Sequence, residues 1–158
     1  MGDAPAGQLE RDQHYMRLAL ALAEEASRAG EVPIGAVVVQ DGAVTGRGAN
    51  RTRRDGVVSA HAEIVALEEA ERRSGDFRLV EAALYVTVEP CLMCLGAIQQ
   101  ARVTRLVYGV AEPKFGALTG PFKMQNHAII RKLEISAGVL ADEAASLLSG
   151  FFTQLRGE

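Results

Sequence analysis

The chain has 158 residues, 48% of them apolar, enough to bury one continuous core, and it is expected to form a single domain over residues 1–158. Its 17 basic and 20 acidic side chains leave a formal charge of −3, so it lacks the overall basic excess that marks many nucleic-acid-binding domains, although a local basic patch is compatible with that total. No apolar run approaches the roughly 20 residues a membrane-spanning helix needs. Met1 to Glu10 has neither a basic leader nor an apolar stretch, so a cytoplasmic location is expected.

In chain order, Asp12 to Ala26 places Leu18, Leu22 and Ala26 at helical spacing, and Gly30 suits the end of that helix. Ile34 to Val39 is a β-branched run, Asp41-Gly42 a hairpin turn, and Ala43 to Gly48 the return strand. Asn50 to Gly56 reads as a polar, arginine-rich loop. Ser59 or Ala60 opens a second helix, with Ile64, Leu67 and Ala70 on one face, running to about Arg73. Ala83 to Val88 is a strand that Pro90 stops, and Cys91 to Gln100 is the helix that follows. Arg105 to Gly109 is a strand. Glu112 to Asn126, with two prolines and two glycines, reads as a long loop, Lys132 to Ser136 as a last strand, and Ala141 to Leu155 as an amphipathic closing helix. Strands alternating with helices imply a central sheet covered on both faces, antiparallel at the hairpin and parallel where helices make the connections.

Two fragments carry chemistry: His61-Ala62-Glu63 and Pro90-Cys91-Leu92-Met93-Cys94. Each falls at an expected helix start. The partial positive charge and free N–H groups there favour thiolate over thiol. Cys91 and Cys94 are the chain's only cysteines, too few for a disulfide scaffold. Three apart on a first helical turn, they point the same way, and His61 from another helix can complete a three-ligand site. Such a site keeps a fourth position for water, as catalytic zinc does. Glu63 is near enough to exchange protons with that water. A CxxC alone would equally fit redox chemistry, and a structural zinc would want a fourth ligand. His14, in a helix, and His127, in a loop, belong to no such motif.

His-X-Glu followed by Pro-Cys-X-X-Cys is the known signature of zinc nucleobase deaminases. On that motif the chain resembles the cytidine deaminase-like superfamily. Its flanking stretches Glu31 to Ala36, Asn50-Arg51, Ala60 to Ile64, Leu84 to Cys91, Met93-Cys94 and Gly138 to Glu143 are similar to bacterial tRNA adenosine deaminases. The resemblance implies a three-layer α/β/α sandwich with a five-stranded mixed sheet and one zinc ion on His61, Cys91 and Cys94. It implies Glu63 as acid and base, Asn50 bonding base or ribose, the Ala62 N–H on a base edge, Ile34 and Pro90 lining the pocket, and a homodimer. The region from Glu112 to Arg131 departs from the tRNA branch: Glu112 stands where an Asp is usual, and Asn126-His127 comes early. Two substrates therefore stay open: the wobble adenosine of a tRNA anticodon loop, or a free small base such as guanine or cytosine. Arg51, Arg53 and Arg54 are candidate phosphate contacts.

Overall fold

The computed structural model describes residues 7–130 and 132–157; Arg131, part of the departing region, lies outside them. Helix α1 spans Gln8–Arg28, and strands β1, Gly35–Gln40, and β2, Ala43–Ala49, form a hairpin. Gln40 pairs with Ala43, leaving Asp41-Gly42 as a two-residue turn with φ of 50° and 71°, which glycine in second place makes easy. A one-turn helix α2, Thr52–Asp55, precedes α3, Ala62–Ser74. Then follow β3, Ala83–Val88, α4, Leu92–Gln100, β4, Arg105–Val110, β5, Glu134–Ser136, and α5, Ala141–Arg156.

The sheet is mixed, with strand order β2-β1-β3-β4-β5. β1 is antiparallel to both β2 and β3, whereas β3, β4 and β5 run parallel through helical or loop crossovers. Period-two alternation assigns side chains to two cores. Ala36, Val38, Leu84, Val86, Leu106 and Tyr108 pack under α3 and α4. Val37, Val39, Tyr85 and Val107 face the other way, under α1 and α5. The result is the expected three-layer sandwich. On the α1 side, a buried ion pair pins helix to sheet: Arg105 on β4 grips both oxygens of Asp12 at 2.7 Å, and Tyr85 donates to Asp12 at 2.9 Å.

The structure corrects several boundaries. α1 extends past both expected ends, and β5 is three residues long. The Asn50 to Gly56 segment holds α2 because buried Glu31 caps it, accepting the Arg53 and Arg54 N–H groups at 3.0 and 2.6 Å. Short 3-10 turns at Met124–Asn126 and Ala128–Ile130 interrupt the expected long loop, Met124 returning its N–H to the Ala117 carbonyl. β2 meets α3 across Gly48, where an added Cβ would lie 2.1 Å from the Ala62 carbonyl oxygen. Only glycine permits that approach, which seats the start of α3 directly on the sheet.

Candidate metal centre and active site

His61 and Cys91 are the N-cap residues of α3 and α4, both with extended backbone, so each stands immediately before a helical turn. α3 follows β2 through the short α2, α4 follows β3 directly, and β2 and β3 are both antiparallel to β1, so both helix starts arrive at the same end of the sheet. There His61 Nδ1 lies 3.6 Å from Cys91 Sγ and 3.4 Å from Cys94 Sγ. The three donor atoms all fall within 4.8 Å of one another. Zinc with bonds of about 2.0–2.1 Å to nitrogen and about 2.3 Å to sulfur has a tetrahedral N–S edge of roughly 3.5 Å, so these separations fit a tetrahedral ion. The cluster can hold a metal.

Electrostatics favour a cation at this point. The Cys94 thiol hydrogen bond, aided by His61, holds Cys91 down at about 4, in the thiolate form at neutral pH. The thiolate and burial in turn push Cys94 up, so the pair shares one proton. The hydrogen bond to Cys91 raises His61. A divalent ion would displace these protons and satisfy all three donors.

Glu63, in the first turn of α3, is 4% exposed. Burial pushes its carboxyl up to about 7, opposed by its own backbone N–H, and the Cys91 thiolate adds to the rise. It sits two residues from His61, beside the sulfur–imidazole cluster, near enough for its charge to raise Cys94. A carboxyl poised near neutrality can both take and give a proton.

The other expected residues gather here too. Asn50 is buried, and its Oδ1 accepts the Ala62 N–H at 3.0 Å, so the amide expected on a base edge is bound to Asn50. The Asn50 N–H donates to the Ile34 carbonyl at 3.1 Å, tying Ile34 to the same corner. Pro90 is buried and Ile34 half-buried. Of the three arginines, Arg51 pairs with Asp55 at 3.2 Å and Arg53 donates to the Gly30 carbonyl at 3.2 Å, while Arg54 is exposed. His14 and His127 are exposed and stand apart from the cluster.

Sequence reasoning assigned no role to two buried carboxylates flanking the site, Glu31 and Glu89. Glu31 caps α2 and so holds the segment that delivers Asn50. Glu89 accepts four hydrogen bonds from residues 112–119. Both lie in stretches that carried the family resemblance, but only tertiary contacts reveal their partners.

A five-stranded mixed sheet with His-X-Glu and Pro-Cys-X-X-Cys at two converging helix starts defines a cytidine deaminase-like fold. The model for MafB19-like deaminases matches residues 10–156, and the chain belongs to that family. The tRNA-specific adenosine deaminase of Haemophilus influenzae is 41% identical over 158 residues, 99% of this chain and 91% of that protein. A structure from studies of A-to-I editing by tRNA:A34 deaminases at the wobble position superposes with a TM-score of 0.82 at 43% identity, covering 85% of this chain and 99% of that one. Guanine deaminase from Bacillus subtilis is also similar, with a TM-score of 0.61 and 38% identity over 63% of this chain and 64% of that one.

Proposed function

We propose that this protein is a zinc-dependent deaminase that converts the wobble adenosine of a tRNA anticodon to inosine. The observation that carries the reading is the meeting of His61, Cys91 and Cys94 beside a buried, near-neutral Glu63, in a chain this similar to tRNA-specific adenosine deaminases. His61 Nδ1 and the two sulfurs would hold the zinc, which would supply the Lewis acidity that makes water a nucleophile at neutral pH. Glu63 takes the proton that the attacking water releases and delivers it to N1 of the adenine ring. It then takes the remaining proton from the new C6 hydroxyl and passes it to the amino group, so the C–N bond breaks, ammonia departs and a C6 carbonyl remains. Asn50, its Oδ1 held by the Ala62 N–H, offers its NH₂ group to the substrate. Ile34 and Pro90 form the walls. The base must be splayed out of its stack to reach the centre, which favours a single-stranded loop. Exposed Arg54 is the arginine of its cluster best placed to meet a phosphate.

The chain acts as one catalytic domain, and its two cores share a single sheet. Leu92 and Met93, immediately beside Cys91, are 45% and 39% exposed, an apolar edge that a second copy would cover in a homodimer. No helix among the described residues is long and apolar enough to cross a membrane, and a tRNA substrate would place the enzyme in the cytoplasm.

A second reading is a deaminase of a free base such as guanine or cytosine. The similarity to a guanine deaminase and the departing segment after Glu112 favour it. The test is inosine formation on an arginine-tRNA anticodon stem-loop with a wobble adenosine, beside ammonia release from guanine, cytosine and adenosine. Inosine with silent free bases upholds the tRNA reading; ammonia from a free base with an untouched stem-loop replaces it.

A further inference from the structure

Glu89 follows β3, two residues before Cys91, and is 3% exposed, yet no step of the deamination uses it. Its Oε1 accepts the Glu112 N–H at 3.1 Å and the Thr119 hydroxyl at 2.8 Å. Its Oε2 accepts the N–H groups of Leu118 at 2.9 Å and Thr119 at 2.8 Å. One carboxylate thus ties both ends of the segment from Glu112 to Thr119 into an arch. The middle of the arch is stitched to the metal-binding corner: Gly116 pairs with Cys91 in an isolated antiparallel bridge, and the Ala117 N–H donates to the Pro90 carbonyl at 3.0 Å. Gly116 lies so close beneath that an added Cβ would be 2.4 Å from the Glu89 carboxylate. Glu112 accepts the Lys114 and Phe115 N–H groups at 2.8 and 3.3 Å, shaping the crest. Lys114 and Phe115 stay exposed there, the ammonium 5.3 Å from the ring centre, two residues and one residue along the arch from the bridge to Cys91.

We propose that Glu89 is a positioning residue for substrate capture, clamping residues 112–119 against Cys91 so that the Lys114–Phe115 crest forms a fixed wall of the substrate site. An aromatic face beside a cation suits a nucleotide next to the target base, by stacking and by phosphate contact. The wall touches no reacting atom, so its loss weakens binding more than it slows chemistry.

Glu89→Gln is the main variant. It keeps the shape but turns an amide NH₂ toward groups that are themselves donors. Amide exchange over residues 112–119 should quicken roughly tenfold or more, as expected when a charge-assisted contact is lost, while exchange in β1 and β3 stays as in the wild type. On the preferred substrate, KM should rise roughly fivefold or more with kcat within about twofold and metal content unchanged. Thr119→Val, which removes only the hydroxyl contact, should move both readouts the same way by less, and Thr119→Ser should restore them; this pair carries the test if Glu89→Gln fails to fold. Unchanged exchange at residues 112–119 would overturn the clamp. Faster exchange with unaltered KM, or a fall in kcat alone, would overturn its role in capture. The kinetic arm rests on the deaminase reading, but the exchange arm needs no substrate, so an inactive wild type would count against that reading and leave the clamp to be judged by exchange.

Discussion

Replacing Gly48 with Ala should disable the metal centre from the far side of a helix. The new Cβ would lie 2.1 Å from the Ala62 oxygen, 2.6 Å from the Ala66 nitrogen and 3.0 Å from the Val65 Cβ. Ordinary contact begins near 3.4 Å, so the first turn of α3 must withdraw by about 1.3 Å, the difference between 3.4 and 2.1 Å. Ala62 sits between His61 and Glu63, so the retreat carries ligand and acid together. His61 Nδ1 now stands 3.4 and 3.6 Å from the two sulfurs, a spacing that such a shift breaks. Overpacking of this kind costs about 1–3 kcal/mol. For a chain of this size that lowers the melting midpoint by about 2–4 °C per kcal/mol. A misplacement of about 1 Å at the reacting groups costs about a hundredfold in rate. Metal per chain by emission spectroscopy, the thermal midpoint, and kcat/KM on the preferred substrate report the three effects. A Gly48→Ala protein with full metal and kcat/KM within about twofold of wild type would refute the claim that the close approach of β2 and α3 sets the site.

Glu63→Gln should lower kcat by at least about a hundredfold, the usual worth of a positioned general acid–base, while metal content stays unchanged; assays of turnover and metal on one preparation decide it. In the metal-free protein, burial raises Glu63 to about 7 from an unfolded 4.5. Its stabilising contribution is therefore complete below about pH 4.5 and is lost as pH rises through about 7. Cys91, lowered from 9 to about 4, works in the opposite sense, adding stability above the unfolded value that fades as pH falls through about 4. The melting-point difference between metal-free wild type and Glu63→Gln isolates the first effect: it should be smallest near pH 4.5, where both side chains are neutral, and the wild type should fall progressively below the variant toward pH 7. Asp12→Ala removes the buried carboxylate from Arg105, whose side chain is 13% exposed, leaving it the exposed Glu134 at 3.3 Å, and should cost about 3 kcal/mol by urea unfolding, the low end for a broken buried pair. Because that pair lies on the α1 face of the sheet, kcat on folded enzyme should hold within about twofold. Gly150→Ala, on exposed α5 with nothing within 4 Å of the new methyl, should instead stabilise by about 0.5–1 kcal/mol in the same unfolding assay.

Much of this protein is written locally in its sequence. The Asp41-Gly42 turn follows from its two residues, and Ala83 to Val88 is a strand because β-branched and aromatic side chains fill a two-sided interior. His61-Ala62-Glu63 and Pro90-Cys91-Leu92-Met93-Cys94 announce three donors and an acid, because metal chemistry needs particular atoms at particular spacings. Contacts between distant segments were not legible. Glu31 meets α2 across 22 and 23 positions, and Glu89 meets Leu118 and Thr119 across 29 and 30. Neither carboxylate has a local partner, so nothing nearby distinguishes it from a solvated surface acid. The α2 turn escaped for the same reason, since the cap that stabilises four residues comes from another loop. Ala62 shows the limit most plainly: its N–H is a free helix-start donor in the sequence, and only the folded chain, bringing Asn50 from 12 residues away, gives it a partner. Sequence periodicity and motif spacing determined the layers and the donor atoms; the side-chain clamps that hold those atoms in register exist only once the sheet has brought its loops to one end.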